Sequence, residues 1–486
     1  MYKTISKFSV LVLFCLMNLS LPGCEPHRQI RTQRVECVVS GMLSKNHDCK
    51  DKTIEKHLVT VHPPSNDPKP KHFEVAFVEF DDQGLVFDKE QMRFVLDRVA
   101  ARSKVKRPFL VLVFVHGWKH NAAICDPNVS CFREMVRTAA MSPSLTTTQD
   151  TKDEDTKTDD PNWESTDVDV LGVYVSWYGH SLTALENLTF FARKQAAERV
   201  AQGQARTLFT GLLDIQRDVR EQHPENPYQM RLMFVGHSFG GLILYESMMP
   251  YLLSSALQKV PDKKARPADL VVLINPAFEA TRYVPLRDAA TRSVDEAAAS
   301  SSPLPPWPDP ATCPVFVSLT SRNDNATKRA FPAGRWAGSR FDHFKNGDEE
   351  RTALQTIGHY PPFKTHILAP DTLVQKELGT QQSMPVAPTP TGAGDVEECD
   401  CKAWRIGENE RNDKSKAKSI APGVVGQRKY LSTVLTKKPT DTDTPDYWVV
   451  EVDPRIIDGH SDFFTEQLRD FLVVLYNDVA ECQKRR

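Results

Sequence analysis

Short, dense runs of apolar residues recur along the middle of the 486-residue chain, and longer stretches with helical spacing separate them. The run at 72–82 alternates like a strand, whereas the later runs are rich in β-branched residues and lack strict alternation, which is typical of strands covered on both faces. We predict strands at 72–82, 109–117, 168–177, 230–238, 269–278, 314–321 and 447–453. Helical spacing occurs at 88–103, 185–200, 206–222 and 242–257. This alternation predicts an α/β fold with a mostly parallel central sheet and helices on both faces.

The first residues of the chain have the pattern of a secretion signal. Two lysines precede an apolar run that is too short to span a bilayer comfortably, and the sequence LPGC follows. This order is typical of a signal peptide, here over residues 1–23. The LPGC ending resembles a bacterial lipobox, apart from Pro22, and the resemblance implies a lipid on Cys24. We therefore expect a lipid-anchored protein of the bacterial cell envelope, with plain secretion as the alternative. By resemblance to enterobacterial sorting rules, Glu25 after the cysteine favours the outer membrane.

Changes in composition divide the rest of the chain. Residues 24–70 are polar and contain several prolines, which indicates a tether. Residues 71–324 form the first part of the predicted core, and 446–486 supply its last strand and helix. A large insertion, 325–445, separates the last two predicted strands and contains a proline-rich linker. A lid over the site is one interpretation of this insertion, and surface decoration is the other.

Net charge and cysteine content indicate whether nucleic-acid binding, disulfides or a metal site are expected. The 61 Lys and Arg residues nearly balance 63 Asp and Glu residues, so the formal net charge of -2 gives no sign of nucleic-acid binding. Ten cysteines, less one in the signal peptide and one at the lipid site, leave eight, which indicates disulfides in an oxidising compartment. Cys37 with Cys49 and Cys125 with Cys131 are close enough to close small loops, but the sequence leaves the pairing open. No spacing typical of a metal site occurs, and we expect no metal.

The stretch MRLMFVGHSFGGLILYE contains a G-x-S-x-G motif between a buried strand and an apolar helix. This is the context of a nucleophile elbow, a tight turn that lifts a serine hydroxyl above the edge of a sheet. Gly236 and Gly240 keep the neighbouring positions small, and Ser238 is the candidate nucleophile. The amide of Phe239 begins the following helix and is a candidate donor to an oxyanion.

With this motif the chain resembles the α/β-hydrolase superfamily, in its serine esterase and lipase branch, and the resemblance implies an α/β-hydrolase fold. The similar segments are about 109–278, 314–324 and 446–478. In that family a His-Gly pair ends the third strand, and the residue after it lends a second oxyanion amide. The stretch FLVLVFVHGWKHNA matches with His116 and Gly117, followed by Trp118. The resemblance therefore implies Trp118 and Phe239 as the two oxyanion donors, and a pocket wall is a further role open to Trp118.

The family order of serine, acid and histidine implies the other two site residues. His460 is the implied base because it lies in a loop between the last strand and the last helix, whereas the rivals His359 and His366 lie inside the insertion. Asp324 is the implied acid because it follows the next-to-last strand, although an Asx turn would also suit it. Glu279, after LINPAF, competes as the acid because some family members take the acid from the preceding strand.

These residues predict a serine hydrolase that cleaves carboxylic esters through an acyl-enzyme intermediate and needs no metal or organic cofactor. The expected substrate is a small-molecule or lipid ester. An acyltransferase, a thioesterase or a phospholipase on the same scaffold is the alternative, and a non-catalytic binding protein of the envelope is another. An intact set of serine, acid and histidine argues against the binding protein.

Overall fold

The computed structural model describes most of the chain from residue 28 onward. The described ranges are 28–32, 37–40, 58–62, 72–105, 108–124, 126–140, 168–179, 186–224, 229–257, 268–299, 314–371, 401, 427–438 and 446–485. The elements below belong to one compact unit, Arg31–Arg486. The predicted signal peptide and lipidation site at Cys24 lie outside the described residues.

Twelve strands of the described ranges form one sheet. They are β1 (Cys37–Ser40), β2 (Leu58–His62), β3 (His72–Phe80), β4 (Phe109–Val115), β5 (Val168–Trp177), β6 (Met230–His237), β7 (Leu270–Ile274), β8 (Phe316–Ser321), β9 (His366–Pro370), β10 (Gln427–Tyr430), β11 (Thr433–Lys437) and β12 (Tyr447–Val452). Their order is β1-β2-β3-β5-β4-β6-β7-β8-β12-β9-β11-β10. All neighbours from β3 to β9 run parallel, so the carboxyl ends of these strands share one edge.

Helices lie between these strands because parallel neighbours need long crossover connections. They are α1 (Lys89–Ser103), α2 (Pro127–Ala140), α3 (Glu186–Gln202), α4 (Gln204–Gln222), α5 (Phe239–Ala256), α6 (Val284–Ala299), α7 (Phe331–Gly338), α8 (Gly347–Leu354) and α9 (Glu466–Arg485). Short helical turns add Ala280–Tyr283, Ala326–Ala330, Ile357–His359 and Pro361–Phe363. The Ala326–Ala330 turn is a π-helix, a form that is frequent at functional sites.

The central strands are buried because helices cover both faces of the sheet. Val111 and Val113 of β4 share one large core with residues of α1 and α3–α6. Leu112 points to the other face, where it lines an apolar space with residues of α2 and α9. On that same face Phe114 stacks on Phe132 of α2 with ring centroids 5.4 Å apart. The predicted α/β class, the mostly parallel sheet and its two helical layers are therefore confirmed.

Five strands lie where the sequence analysis expected none. The insertion supplies β9, β10 and β11, which extend the sheet beyond β12, and β1 and β2 lie in the segment interpreted as a tether. Strands β9 and β11 alternate buried and half-buried positions instead of forming dense apolar runs, so they lack the signal of a covered strand. Three strands of the insertion are thus built into the sheet, and its role as a lid stays a prediction.

A disulfide joins the insertion to helix α2. Cys131 of α2 is bonded to Cys401, 270 residues away, with a Cα–Cα distance of 4.8 Å. The suggested pairing of Cys131 with Cys125 is therefore wrong, because the sulfur of Cys131 is bonded to Cys401. Cys482 in α9 is also disulfide-bonded. Within the described ranges, every helix is too short or too polar to cross a bilayer.

Candidate active site

Ser238 lies on the tight turn between β6 and α5. Its backbone angles, φ 55° and ψ -121°, belong to a strained region that non-glycine residues rarely adopt. Two hydrogen bonds hold the turn: the Ser238 amide donates to the carbonyl of Ile274 at 3.0 Å, and the Ser238 carbonyl accepts from the amide of Ala277 at 3.1 Å. The strain is thus supported by the neighbouring strand end, and it fixes the serine hydroxyl at the carboxyl edge of the sheet.

The two motif glycines are required by close backbone contacts. A Cβ on Gly236 would lie 2.8 Å from the carbonyl oxygen of Gly240. A Cβ on Gly240 would collide with the carbonyl oxygens of Val115 and His116 at the end of β4. The start of α5 therefore lies against the end of β4, which is possible only because both positions lack a side chain.

Ser238, His460 and Asp324 form one hydrogen-bonded line across three segments that are far apart in sequence. The Ser238 hydroxyl lies 2.8 Å from Nε2 of His460, and Nδ1 of His460 lies 2.8 Å from Oδ2 of Asp324. An ionised carboxylate only accepts hydrogen bonds, so Nδ1 carries the ring proton and Nε2 is left free to accept one from the serine. This is the arrangement that activates a serine as a nucleophile.

Asp324 is fully buried at the end of β8 and accepts four hydrogen bonds. Its Oδ1 accepts from the amides of Ala326 at 2.9 Å and Thr327 at 3.2 Å, and its Oδ2 accepts from the Thr327 hydroxyl as well as from His460. Burial opposes ionisation, but the bonds from His460 and Thr327 outweigh it and hold the pKa of Asp324 below its usual value. The Asx turn and the contact with His460 are therefore made by the same carboxylate.

The backbone of His460 is held by side chains from two neighbouring strand ends. Its carbonyl accepts from Nδ2 of Asn275 at 2.8 Å and from Nε2 of His237 at 2.9 Å. Burial and the nearby His460 lower the pKa of His237 well below the usual value, so the ring is neutral and donates through Nε2. The preceding amide, on Gly459, donates to Oδ1 of Asn323 at 3.0 Å. The backbone of Gly459 and His460 is thus held by four side-chain bonds, counting one from Asn275 to the Gly459 carbonyl.

Glu279, the competing acid, has different partners. Its carboxylate lies 3.0 Å from Nζ of Lys194, 2.8 Å from Nε of Arg282 and 2.9 Å from Nε of Arg335. Burial raises the pKa of Glu279, but the three cations have the larger effect and lower this pKa to about 2. All four side chains belong to an ion-pair cluster, and His460 is bonded to Asp324 instead. The rival base His366 is buried in β9 beside Trp448.

The two candidate oxyanion donors flank Ser238. Phe239 is the first residue of α5, so its amide has no acceptor four residues earlier within the helix. Gly117, which precedes Trp118, lies so close that a Cβ on it would be 2.9 Å from Cβ of Ser238. Nδ1 of His116 donates to the carbonyl of Gly117 at 2.8 Å and so fixes this strand end. The structure therefore places both backbone segments beside the serine.

A cluster of aromatic rings lies at the start of α5, next to these two backbone segments. Trp118 contacts Phe190 and Phe239 with centroids 6.2 Å apart in each case, and Phe190 contacts Phe331 at 5.8 Å. Phe331 begins α7, so the insertion supplies one wall of this aromatic cluster. Phe239 and Phe331 are buried in the core, and Trp118 and Phe190 are the half-buried members of the cluster.

Sequence reasoning missed the residues that hold the line in place. Asn275, Asn323 and His237 fix the His460 loop, and Thr327 fixes the acid. Asn275 carries a usable signal, since it is a polar residue that directly ends the apolar strand LVVLI and has a positive φ of 45°. The others lie in loops whose contacts depend on the fold. The described ranges contain no group of His, Cys, Asp and Glu side chains able to hold a metal ion.

No protein-family model and no curated protein sequence matches this chain. Among solved structures it is similar to a cutinase of Trichoderma reesei in complex with a phosphonate inhibitor, with 10% identity and a TM-score of 0.17 over 39% of this chain and 68% of the cutinase. It is also similar to phospholipase PlaB of Legionella pneumophila in complex with thio-NAD, with 13% identity and a TM-score of 0.19 over 47% of this chain and 41% of PlaB.

A third similar structure is an uncharacterized protein from Pseudomonas aeruginosa, with 12% identity and a TM-score of 0.18 over 52% of this chain and 42% of that protein. The chain spans less than half of PlaB and of the Pseudomonas protein. At such TM-scores these likenesses support no argument about fold or function, so the assignment depends on the site itself.

Proposed function

We propose that this protein is a serine hydrolase with an α/β-hydrolase fold that cleaves carboxylic esters through an acyl-enzyme. The observation that carries the proposal is the line from Ser238 through His460 to Asp324, with both distances at 2.8 Å and the serine on a strained elbow. A binding protein has no need of strained backbone beneath a correctly oriented serine, histidine and buried carboxylate.

The proposed reaction follows from the hydrogen bonds. His460 takes the Ser238 proton at Nε2 as Oγ attacks the ester carbonyl, and the ionised Asp324 stabilises the imidazolium that forms. The amides of Phe239 and Trp118 bind the oxyanion. His460 then gives the proton to the leaving alcohol, which departs and leaves an ester of Ser238. A water activated by the same histidine hydrolyses that acyl-enzyme and returns the serine to its starting state.

The aromatic cluster favours esters with an apolar acyl group. Trp118 and Phe190 are half-buried and contact Phe239 at the start of α5, and we propose that the acyl chain of a bound ester lies against these two rings. Each buried methylene of a substrate contributes about 0.8 kcal/mol in such a place. We therefore expect turnover to rise with acyl chain length until the chain outgrows the cluster.

A series of p-nitrophenyl esters from acetate to dodecanoate tests this proposal. We expect wild type to hydrolyse them with a preference for medium or long chains, and Ser238→Ala to lose roughly 10⁴-fold or more in kcat. Added acceptor alcohols separate hydrolysis from acyl transfer, because transfer yields a new ester in place of the free acid. Undiminished turnover by Ser238→Ala would remove Ser238 as the nucleophile.

The segment 326–345 favours substrates presented at a lipid surface. Trp336 and Phe341 are 60% and 88% exposed, an unusual state for large apolar side chains. Lys328, Arg340 and Lys345 are exposed around them, and Asp342 is the sole acid in this stretch. Aromatic and basic side chains together suit the surface of an anionic bilayer. We propose that this aromatic and basic segment docks on anionic phospholipid, beside a membrane to which the lipid on Cys24 anchors the protein.

Vesicle binding tests the docking surface independently of the chemistry. All proteins carry Cys24→Ser, so that the proposed lipid does not contribute. We expect Trp336→Ser combined with Phe341→Ser to weaken binding to phosphatidylglycerol vesicles by about tenfold or more, while hydrolysis of a soluble short ester is unchanged. Leu257→Ser, at a leucine that is 51% exposed at the end of α5, is the matched control. Equal vesicle binding by the double variant and the control would exclude this surface.

A further inference from the structure

Thr327 and His359 form a second pair behind the Ser238–His460–Asp324 line. The Thr327 hydroxyl donates to Oδ2 of Asp324, the same oxygen that accepts from His460. Nε2 of His359 lies 3.1 Å from that hydroxyl oxygen. The line of hydrogen bonds therefore continues past the acid into the insertion and ends on a second histidine.

The direction of each bond in this pair is fixed. An ionised Asp324 has no proton to give, so the hydroxyl hydrogen of Thr327 points to the carboxylate. The Thr327 oxygen then has only lone pairs left for His359, and Nε2 of His359 must carry the proton and donate. Burial lowers the pKa of His359 to about 4, so the ring is neutral near pH 7 and keeps this single arrangement.

His359 is held firmly by the ends of β7 and β8. It ends the turn Ile357–His359, in which a Cβ on Gly358 would collide with the side chain of Thr320 in β8. The amide of Ile357 donates to the carbonyl of Phe278 just beyond β7 at 3.4 Å, and the amide of His359 donates to the carbonyl of Thr356 at 3.0 Å. The backbone of His359 therefore has a fixed position relative to β8, the strand that Asp324 follows.

We propose that His359 is a positioning residue for the hydrolysis, acting through Thr327 on the carboxylate of Asp324. This inference rests on the proposed function. The donor from His359 keeps the threonine hydroxyl in the rotamer that bonds Oδ2, and so keeps the carboxylate plane aligned with Nδ1 of His460. Segment 325–363 thus contributes to the reaction through the acid as well as through the aromatic cluster.

The charges that face His359 do not replace this contact. The acids that act on its ring are Asp324 and Glu451, and the lysines that act on it are Lys364 and Lys328. Both of these lysines have other acceptors: Lys364 is paired with Glu451, and Lys328 donates to the carbonyl of Arg322 at 3.1 Å. Removal of the imidazole therefore leaves the Thr327 hydroxyl without the donor that orients it.

The loss of this donor changes kcat and its pH dependence together. A Thr327 hydroxyl that no longer receives a hydrogen bond is a weaker donor to Asp324. More negative charge then stays on Oδ2 opposite His460. This charge favours the protonated, inactive form of the Ser238–His460–Asp324 site. The acidic midpoint of the kcat/KM profile is expected to move to higher pH by a few tenths of a unit. A misaligned carboxylate also lowers kcat, with little effect on KM, because the acid does not touch the substrate.

The experiment compares His359→Leu, His359→Gln and His366→Leu, using a soluble ester and the low-field proton resonance of His460 Nδ1–H. His366→Leu is the matched control, since it also removes a buried histidine of the insertion, one whose ring lies against Trp448. We expect His359→Leu to lower kcat about tenfold, to shift the acidic midpoint upward and to move or broaden the resonance. His359→Gln, whose amide can donate to Thr327, should recover most of kcat and the wild-type midpoint.

An unchanged midpoint and resonance in His359→Leu would overturn the proposal, as would equal losses in His359→Leu and His359→Gln. A shift of the same size in His366→Leu would also overturn it, because the effect would then be one of packing. Retained turnover in Ser238→Ala would show that the proposed function is wrong. In that case the His460 resonance would still test the contact between His359 and Asp324.

Discussion

Two buried carboxylates lie just beyond the ends of neighbouring parallel strands, Asp324 after β8 and Glu279 after β7. Both have a lowered pKa, and both were candidates for the acid. Their partners differ in kind. Asp324 is bonded to a histidine and a threonine hydroxyl, whereas Glu279 is surrounded by Lys194 and two arginines.

The difference shows that a lowered pKa does not by itself identify a catalytic acid. Histidine is a partner that can gain and lose a proton during a reaction, so a carboxylate beside it can respond to that change. The partners of Glu279 are a lysine and two arginines that hold it in ion pairs, and none of its ion-pair partners is a histidine. Lys194 belongs to α3 and Arg335 to α7, and the Glu279 cluster therefore joins a core helix to the insertion.

The largest expected effect comes from Asp324→Asn. The amide cannot hold the imidazole in the tautomer that leaves Nε2 free to accept, so kcat is expected to fall by roughly 10⁴-fold. Ester turnover measured beside circular dichroism checks the prediction. Glu279→Gln serves as the comparison and should keep kcat within a few-fold of wild type. A larger loss in Glu279→Gln than in Asp324→Asn would exchange the two roles.

The next largest expected effect is on stability. Here substitution of Glu279 is expected to have a larger effect than substitution of Asp324. Glu279→Gln removes the carboxylate that Lys194, Arg282 and Arg335 share, and only Glu198 and Glu246 still pair with the first two. The free energy of unfolding is therefore expected to fall by about 3 kcal/mol at pH 7. Urea unfolding measures this, with the exposed Glu350→Gln as the control, for which we expect a change of at most about 0.5 kcal/mol. Equal stability of the two variants would mean that the cluster does not hold the insertion.

The smallest expected effect is the pH dependence of that stability. The pKa of Glu279 falls from an ordinary 4.5 to about 2 on folding, which corresponds to about 3 kcal/mol. Because the folded pKa is the lower one, this contribution is complete above about pH 5 and is lost as the pH falls towards 2. The stability difference between wild type and Glu279→Gln should therefore shrink between pH 5 and pH 3 in urea titrations. A difference that stays constant over this range would contradict the ion-pair account.

The sequence predicted the parts of this molecule that have local signals. Dense apolar runs marked the central strands, and the turn at Ser238 follows from small residues between a strand and a helix. Choosing between Asp324 and Glu279 needed the structure, because both follow strands and only their neighbours differ. The contacts of His359 and Cys401 join segments far apart in the chain, so no local sequence pattern predicts them.

Intact-mass analysis after reaction with a fluorophosphonate tests most directly whether Ser238 is the nucleophile activated through His460 and Asp324. We predict one adduct on wild type and on Glu279→Gln at similar rates, much slower reaction of Asp324→Asn, and no adduct on Ser238→Ala. Peptide mapping should place the adduct on Ser238. Stoichiometric labelling of Ser238→Ala, or labelling of Asp324→Asn as fast as wild type, would contradict the account.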